Sequence, residues 1–93
     1  MNNKNTIPAL EKAVQIMNYL GHNPNGATQA QLAEELDISA TTCYRILQTL
    51  VQFKWLSRHG AIYDLASGLL PVVMKMTNYI NRFDAAQPLL EKL

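Results

Sequence analysis

Cysteine is nearly absent from this sequence. Cys43 alone occurs, which excludes an internal disulfide and any multi-cysteine metal site. Its place on an apolar helical stripe reads as a small buried hydrophobe, with a reactive thiol as the alternative. Histidine is almost as scarce: His22 and His59 stand at no metal-ligand spacing from Cys43 or a carboxylate, and no glycine-rich phosphate loop occurs. In a chain of 93 residues, with little room for a closed pocket, these absences argue against an enzyme and leave no catalytic, cofactor or metal site to name. Charged residues make up only 16% against 48% apolar. That balance is too hydrophobic for disorder, yet no apolar run approaches the length that crosses a bilayer. The start, MNNKNTIPAL, lacks the charged-then-apolar order of a secretory signal. The expectation is one small soluble domain, cytoplasmic, without a membrane partner.

A net charge of +1 favours no partner by itself, but the charge is unevenly spread. Between Ile38 and Tyr63 stand Arg45, Lys54, Arg58 and His59 with no acid, while Glu34, Glu35 and Asp37 lie just before that window.

Apolar spacing then organises the chain. Leu10, Ala13, Val14, Met17 and Leu20 predict a first helix over Ile7 to Leu20, with Pro8 in its first turn. GHNPNGA supplies turn residues. Thr28 with Gln31 forms the signature of a capping box, so a second helix starts there and runs to about Leu36. DIS cannot be helical throughout: Asp37 tolerates the left-handed conformation and Ser39 is a preferred N-cap. A third helix follows from Ala40 to about Phe53, turning Cys43, Ile46, Leu47 and Leu50 inward and Thr41, Tyr44, Arg45 and Gln48 onto another face. WLSRHGAIYDL predicts two short strands, Trp55 to Arg58 and Ile62 to Leu65, joined around Gly60, with Trp55 facing the core. From Leu69 to Ala86 a stripe of Leu69, Val72, Val73, Met76, Ile80 and Phe83 predicts an 18-residue helix, about 27 Å long, which is more than this core needs. Pro88 ends it, and PLLEKL reads as the opening turn of a further domain.

Two helices joined by a tight turn, a supporting first helix and a hairpin make a winged helix-turn-helix: mainly α with a small β-hairpin, a three-helix bundle plus wing, followed by a long linker helix. The expected domains are 1–68 for the winged helix-turn-helix, 69–87 for the linker and dimerisation helix, and 88–93 for the start of an absent effector domain. The apolar residues Leu32, Leu36, Ile38 and Ile46, with the small Ala33 where the two helices cross, are what the turn geometry requires. In such a fold the outer face of the third helix can enter a DNA major groove.

ALEKAVQIMNYL, TQAQLAEELDISATTCYRILQTLVQFKWLSR and GAIYDLASGLL resemble, in order and spacing, the N-terminal domain of IclR-type bacterial transcriptional regulators from about Ile7 to Leu70. The resemblance implies a dimeric repressor or activator of a catabolic operon, with a small organic effector sensed by a C-terminal domain that this chain lacks. AAQPLLEKL resembles the join to that domain, so the chain is expected to be a DNA-binding fragment or a natural truncation. It departs from the family pattern at Ala40, where a basic residue often precedes the Thr pair, and at Lys54, where a helix-ending glycine is usual. The wing RHGA is also short and has few charges.

The expected DNA contacts follow from side-chain chemistry and placement. Arg45 can hold guanine or phosphate in a bidentate contact, or pair back with Glu34 or Glu35. Thr41 and Thr42, beside Ala40, offer hydroxyls and free amides at a helix start, or simply cap it. Tyr44 lies along a groove wall or covers the core edge, and Gln48 reads adenine or stays solvated. Thr28 and Gln29 are placed against backbone phosphate. Lys54 supplies a phosphate contact, and Arg58 and His59 flank the wing turn, with plain exposure the alternative for His59. The partner expected is double-stranded DNA, met in the nucleoid by a homodimer formed through the Leu69 to Phe83 helix. A winged-helix module that binds protein is the rival reading. Thr41, Tyr44, Arg45 and Gln48 without acids favour nucleic acid.

Overall fold

The computed structural model describes residues 5–83, with side chains as far as residue 77. The first helix, α1 (Pro8–Gly21), opens with Pro8 where its missing N–H costs nothing, and the amide of Glu11 bonds back to the Ile7 carbonyl at 3.0 Å. A loop returns the chain through Gly26, whose amide donates to Asn23. Gly26 has φ 73, and a Cβ there would lie 2.5 Å from the Tyr63 carbonyl oxygen and 2.8 Å from Ile62 Cγ2. Only glycine fits both the angle and the space.

That close approach exists because Ala27–Thr28 forms a strand, β1, absent from the sequence-based expectation. With β2 (Leu56–His59) and β3 (Ile62–Leu65) it makes a three-stranded antiparallel sheet in the order β1-β3-β2. Ala27 pairs with Tyr63, and Arg58 pairs with Tyr63 from the other side. The expected hairpin is therefore present and carries an additional edge.

Thr28 then caps α2 (Gln29–Glu35) as the sequence predicts. Its hydroxyl accepts from the Gln31 amide at 3.1 Å, and its own amide donates to Gln31 Oε1 at 2.8 Å. At the turn Asp37 adopts φ 55, the Ile38 amide reaches the Ala33 carbonyl at 2.9 Å, and the Ser39 hydroxyl accepts from the Thr42 amide at 3.2 Å. These local bonds start α3 (Ala40–Gln52) at a fixed angle to α2. After β3, a 3-10 turn at Ser67–Leu69 leads into α4 (Leu70–Phe83), with Pro71 in its first turn. Residues 84–93, and with them the expected stop at Pro88 and the turn PLLEKL, lie outside the described residues, as do the side chains of Ile80 and Phe83.

The core is Ile16 and Leu20 from α1, Leu32 from α2, Ile38 in the turn, Cys43, Ile46 and Leu47 from α3, and Ala27, Leu56 and Tyr63 from the sheet. Two expectations are corrected here. Leu10 and Val14 stay 59% and 52% exposed, because α1 presents a face rotated by about a quarter turn, centred on Ile16 and Leu20 with Ala13, Met17 and Tyr19 beside them. Trp55 is 36% exposed and outside the core. Leu56 takes the inward place on β2, and strand alternation sends its neighbour outward.

Cys43 is the expected buried hydrophobe. Its thiol lies 3.8 Å from the Gln29 carbonyl, and burial pushes its pKa up. The native chain should therefore react with an aromatic disulfide reagent more slowly than the urea-unfolded chain by about two orders of magnitude or more, since reaction waits on opening. Equal rates, followed by thiolate release, would contradict the burial.

Lys54, just past α3, adopts φ 67. A left-handed non-glycine residue costs about 1–2 kcal/mol, of which glycine's greater unfolded freedom returns part. Lys54→Gly is expected to raise stability by about 0.5–1 kcal/mol, read as a higher urea midpoint at unchanged slope.

Candidate nucleic-acid interface

α3 has one side in the core and the opposite side in solvent. Thr41, Tyr44, Arg45 and Gln48 recur at helical spacing, and all four are exposed, Tyr44 at 48%. Behind them Cys43, Ile46 and Leu47 are buried, so the outer face is fixed by the inner one. Among the described residues nothing pairs with the Arg45 guanidinium, and the alternative ion pair to Glu34 or Glu35 does not form. The Arg45 carbonyl instead accepts from the Thr49 hydroxyl at 2.8 Å. An unpaired guanidinium keeps its five donors for a ligand.

The start of α3 is held from α2. Gln29 Nε2 donates to the Ala40 carbonyl at 3.3 Å. Gln29 thus has a positioning task that sequence reasoning missed, since its partner is eleven residues away. Thr28 spends its hydroxyl on the capping box. Thr42 is half-buried and its amide is occupied by Ser39, while Thr41 stays exposed. The structure therefore brings Ala40, Thr41, Thr42, Thr28 and Gln29 to one end of α3. Lys54 lies at the other end, about 20 Å along a 13-residue helix.

The wing is more ordered than its composition suggests. Arg58 Nε donates to the Gly60 carbonyl at 2.8 Å, and its Cζ lies 5.6 Å from the centre of the Tyr63 ring, within cation–π reach. His59 Nε2 lies 3.3 Å from Ser57 Oγ, and both Arg58 and His59 are exposed. The turn thus holds Arg58 close to the sheet while the residue stays exposed. A second feature escaped the sequence: an open recess of about 630 Å³ between α1 and α3, lined by Ile7, Leu10, Ala13, Ile46 and Leu50 with Arg45 at its rim.

A sequence model of the IclR helix-turn-helix domain matches residues 9–60, more than half of the chain. The chain belongs to the IclR helix-turn-helix family. An uncharacterized HTH-type transcriptional regulator of Haemophilus influenzae is 30% identical over 87 residues, covering 91% of this chain and 32% of its own length. This IclR-family chain therefore spans about a third of that relative.

Solved structures agree in fold. An IclR transcriptional regulator from Alicyclobacillus acidocaldarius superposes with TM-score 0.72 at 26% identity, over 76% of this chain and 30% of that one. The Agobacterium tumefaciens repressor BlcR gives TM-score 0.69 at 23% identity, over 77% and 29%. Family and fold are those of the DNA-binding domains of transcriptional regulators, not of an enzyme. Among the described residues no helix is long and apolar enough to cross a membrane, and no cluster of three or more His, Cys, Asp or Glu could hold a metal.

Proposed function

We propose that this IclR-family chain is the DNA-reading part of a bacterial transcriptional regulator acting in the cytoplasm, and that two copies read an inverted-repeat operator with α3 in successive major grooves. The observation that carries this reading is the outer face of α3: Thr41, Tyr44, Arg45 and Gln48, exposed and acid-free, with an unpaired guanidinium at its middle. Side chains of that face read bases. Arg45, Lys54, Arg58 and the amides at the start of α3 hold phosphate and fix the register. Gln29 braces, through the Ala40 carbonyl, the end of α3 that Ala40, Thr41 and Thr42 bring to the backbone, Thr28 caps α2 beside it, and His59 accompanies Arg58 at the wing.

Pairing of two copies is supported by unpartnered apolar surface. On α4, Leu70, Val73 and Met76 are 52%, 49% and 60% exposed, and Ile7 at the N-cap of α1 with Leu10 and Val14 on it are comparably open. We assign 1–68 to DNA reading and the helix beyond to dimerisation. A small organic effector would act through a further domain reached through α4, and would repress or activate by moving the two reading helices.

The test is chemical-shift mapping of the labelled chain with duplex DNA carrying a bound sequence. Shifts concentrated at 40–48 and 57–60 support the reading. Shifts confined to α1 and α4 would overturn it. Salt dependence gives a second check: three basic side chains per copy predict a log–log slope of about −3 for one copy and about −5 for two.

A further inference from the structure

The end of α3 and the start of α4 are held by a backbone clasp in which no side chain takes part. Lys54 closes α3 in the left-handed region, its amide donating to the Val51 carbonyl at 3.0 Å. Its own carbonyl accepts from the Gly68 amide at 2.9 Å. One residue on, the Trp55 carbonyl accepts from the Ala66 amide at 2.9 Å, while the Trp55 amide donates to Leu50 of α3 at 3.0 Å. The last turn of α3 and the 3-10 turn that launches α4 therefore share one ladder.

The two backbones approach unusually closely. A Cβ on Gly68 would lie 2.7 Å from the Lys54 carbonyl carbon and 2.8 Å from the Lys54 Cβ. These are backbone and root atoms, which cannot swing aside as the end of a long side chain would. Gly68 is not among the residues with positive φ, so what the position demands is space. α4 meanwhile leans on the 3-10 turn from which it grows, with Leu70, Val73 and Met76 open to solvent. The direction in which α4 leaves the domain is then set at the clasp.

We infer that Gly68 is a positioning residue that locks the direction of α4 to the axis of α3, so that two copies joined through α4 hold their reading helices at one separation and angle. The inference rests on the DNA-binding reading above. None of Lys54, Trp55, Ala66 and Gly68 belongs to the buried core, so each α3 still meets its own half-site. What is lost is the fixed relation between the two. Operator spacing, not half-site sequence, is the property Gly68 controls.

The test uses the full chain carrying G68A. Spin labels on Thr49→Cys and Lys75→Cys, with buried Cys43 left in place and labelled chains diluted in unlabelled ones, measure the α3–α4 distance. A single narrow distribution is expected for the parent and a broadened one for G68A. A66P, which deletes the neighbouring amide donor without a Cβ at 68, is expected to broaden it too, and Cys43 protection checks that both variants are folded. Narrow distributions in all three chains overturn the clasp.

On duplexes whose half-site spacing is varied by a few base pairs, the parent is expected to lose roughly tenfold in affinity or more, and G68A less than about threefold, with single half-site affinity unchanged within about twofold. Retained spacing preference, or loss of half-site affinity, overturns the positioning role. A parent chain that binds no duplex sinks the DNA-binding reading instead, and the label distances still decide the clasp.

Discussion

Leu47→Ala is expected to cost about 2–5 kcal/mol, the range for deleting three buried carbons from a packed core. Leu47 is fully buried at the centre of α3, among Ile16, Leu20, Leu32 and Leu56. A domain of this size holds on the order of 5–15 kcal/mol in all, so one truncation removes a large share. The cavity would open directly behind the reading face, so DNA affinity should fall at temperatures where the parent is still folded. Val14→Ala is the matched control. Val14 is 52% exposed, so its truncation should cost less than about 0.5 kcal/mol in the single chain. Urea unfolding at low concentration, where association is minimal, measures both, and equal costs would contradict the burial pattern.

Arg45→Ala is expected to produce the largest functional effect of a single surface change, about 1–3 kcal/mol in DNA affinity. The side chain is exposed and, among the described residues, unpaired, so its loss leaves no buried group unsatisfied and stability should move by less than about 0.5 kcal/mol. The form of the loss identifies the contact. If Arg45 grips a base edge, discrimination disappears at one position in each half-site. If it grips phosphate, all sequences weaken alike and the salt slope flattens by about one per copy. Unchanged affinity, discrimination and slope together would remove Arg45 from the interface.

The two variants bear on different parts of the chain, and their legibility from sequence differs in kind. The caps at Thr28 and Ser39 and the left-handed bend at Asp37 are local: each is decided by a residue and its neighbours within about four positions, so short motifs reveal them, whereas the bend at Lys54 was signalled only by the family resemblance, which places a glycine there. The outer face of α3 was equally legible, because one helical period that buries Cys43, Ile46 and Leu47 leaves only one face for Thr41, Tyr44, Arg45 and Gln48.

What escaped is set by partners far along the chain. β1 is two residues long and exists only because β3, some 35 positions later, offers it an edge. α1 carries apolar residues on more than half of its circumference, so periodicity alone could not choose between the Leu10–Val14 side and the Ile16–Leu20 side. Packing against α3 and β3 made that choice. Trp55 is large and apolar and reads as core, yet the register of β2 is fixed by Leu56. In the candidate site the same rule holds. The types of side chain were readable, whereas the tie of Gln29 to Ala40 and the return of Arg58 onto Gly60 and Tyr63 are tertiary facts.

The apolar surface of α1 and α4 connects fold to function through association. A single chain leaves Ile7, Leu10, Leu70, Val73 and Met76 in water, and side chains of this size each gain about 1.5–3 kcal/mol on full burial. Pairing would supply about half of that gain, since the single chain already buries the rest, and at the same time set two α3 helices on one duplex. The clasp at Gly68 is what would make such a pairing specific in geometry as well as in affinity.

The most direct test of the central claim, that the outer face of α3 reads DNA sequence, is selection of the chain on randomised duplex DNA at about 0.15 M salt, followed by sequencing of what is retained. An enriched inverted repeat, with Arg45→Ala either relaxing one base position in each half or flattening the salt slope by about one per copy, is the result this account predicts. Retention without sequence preference, vanishing as salt rises and unaffected by Arg45→Ala, would contradict it.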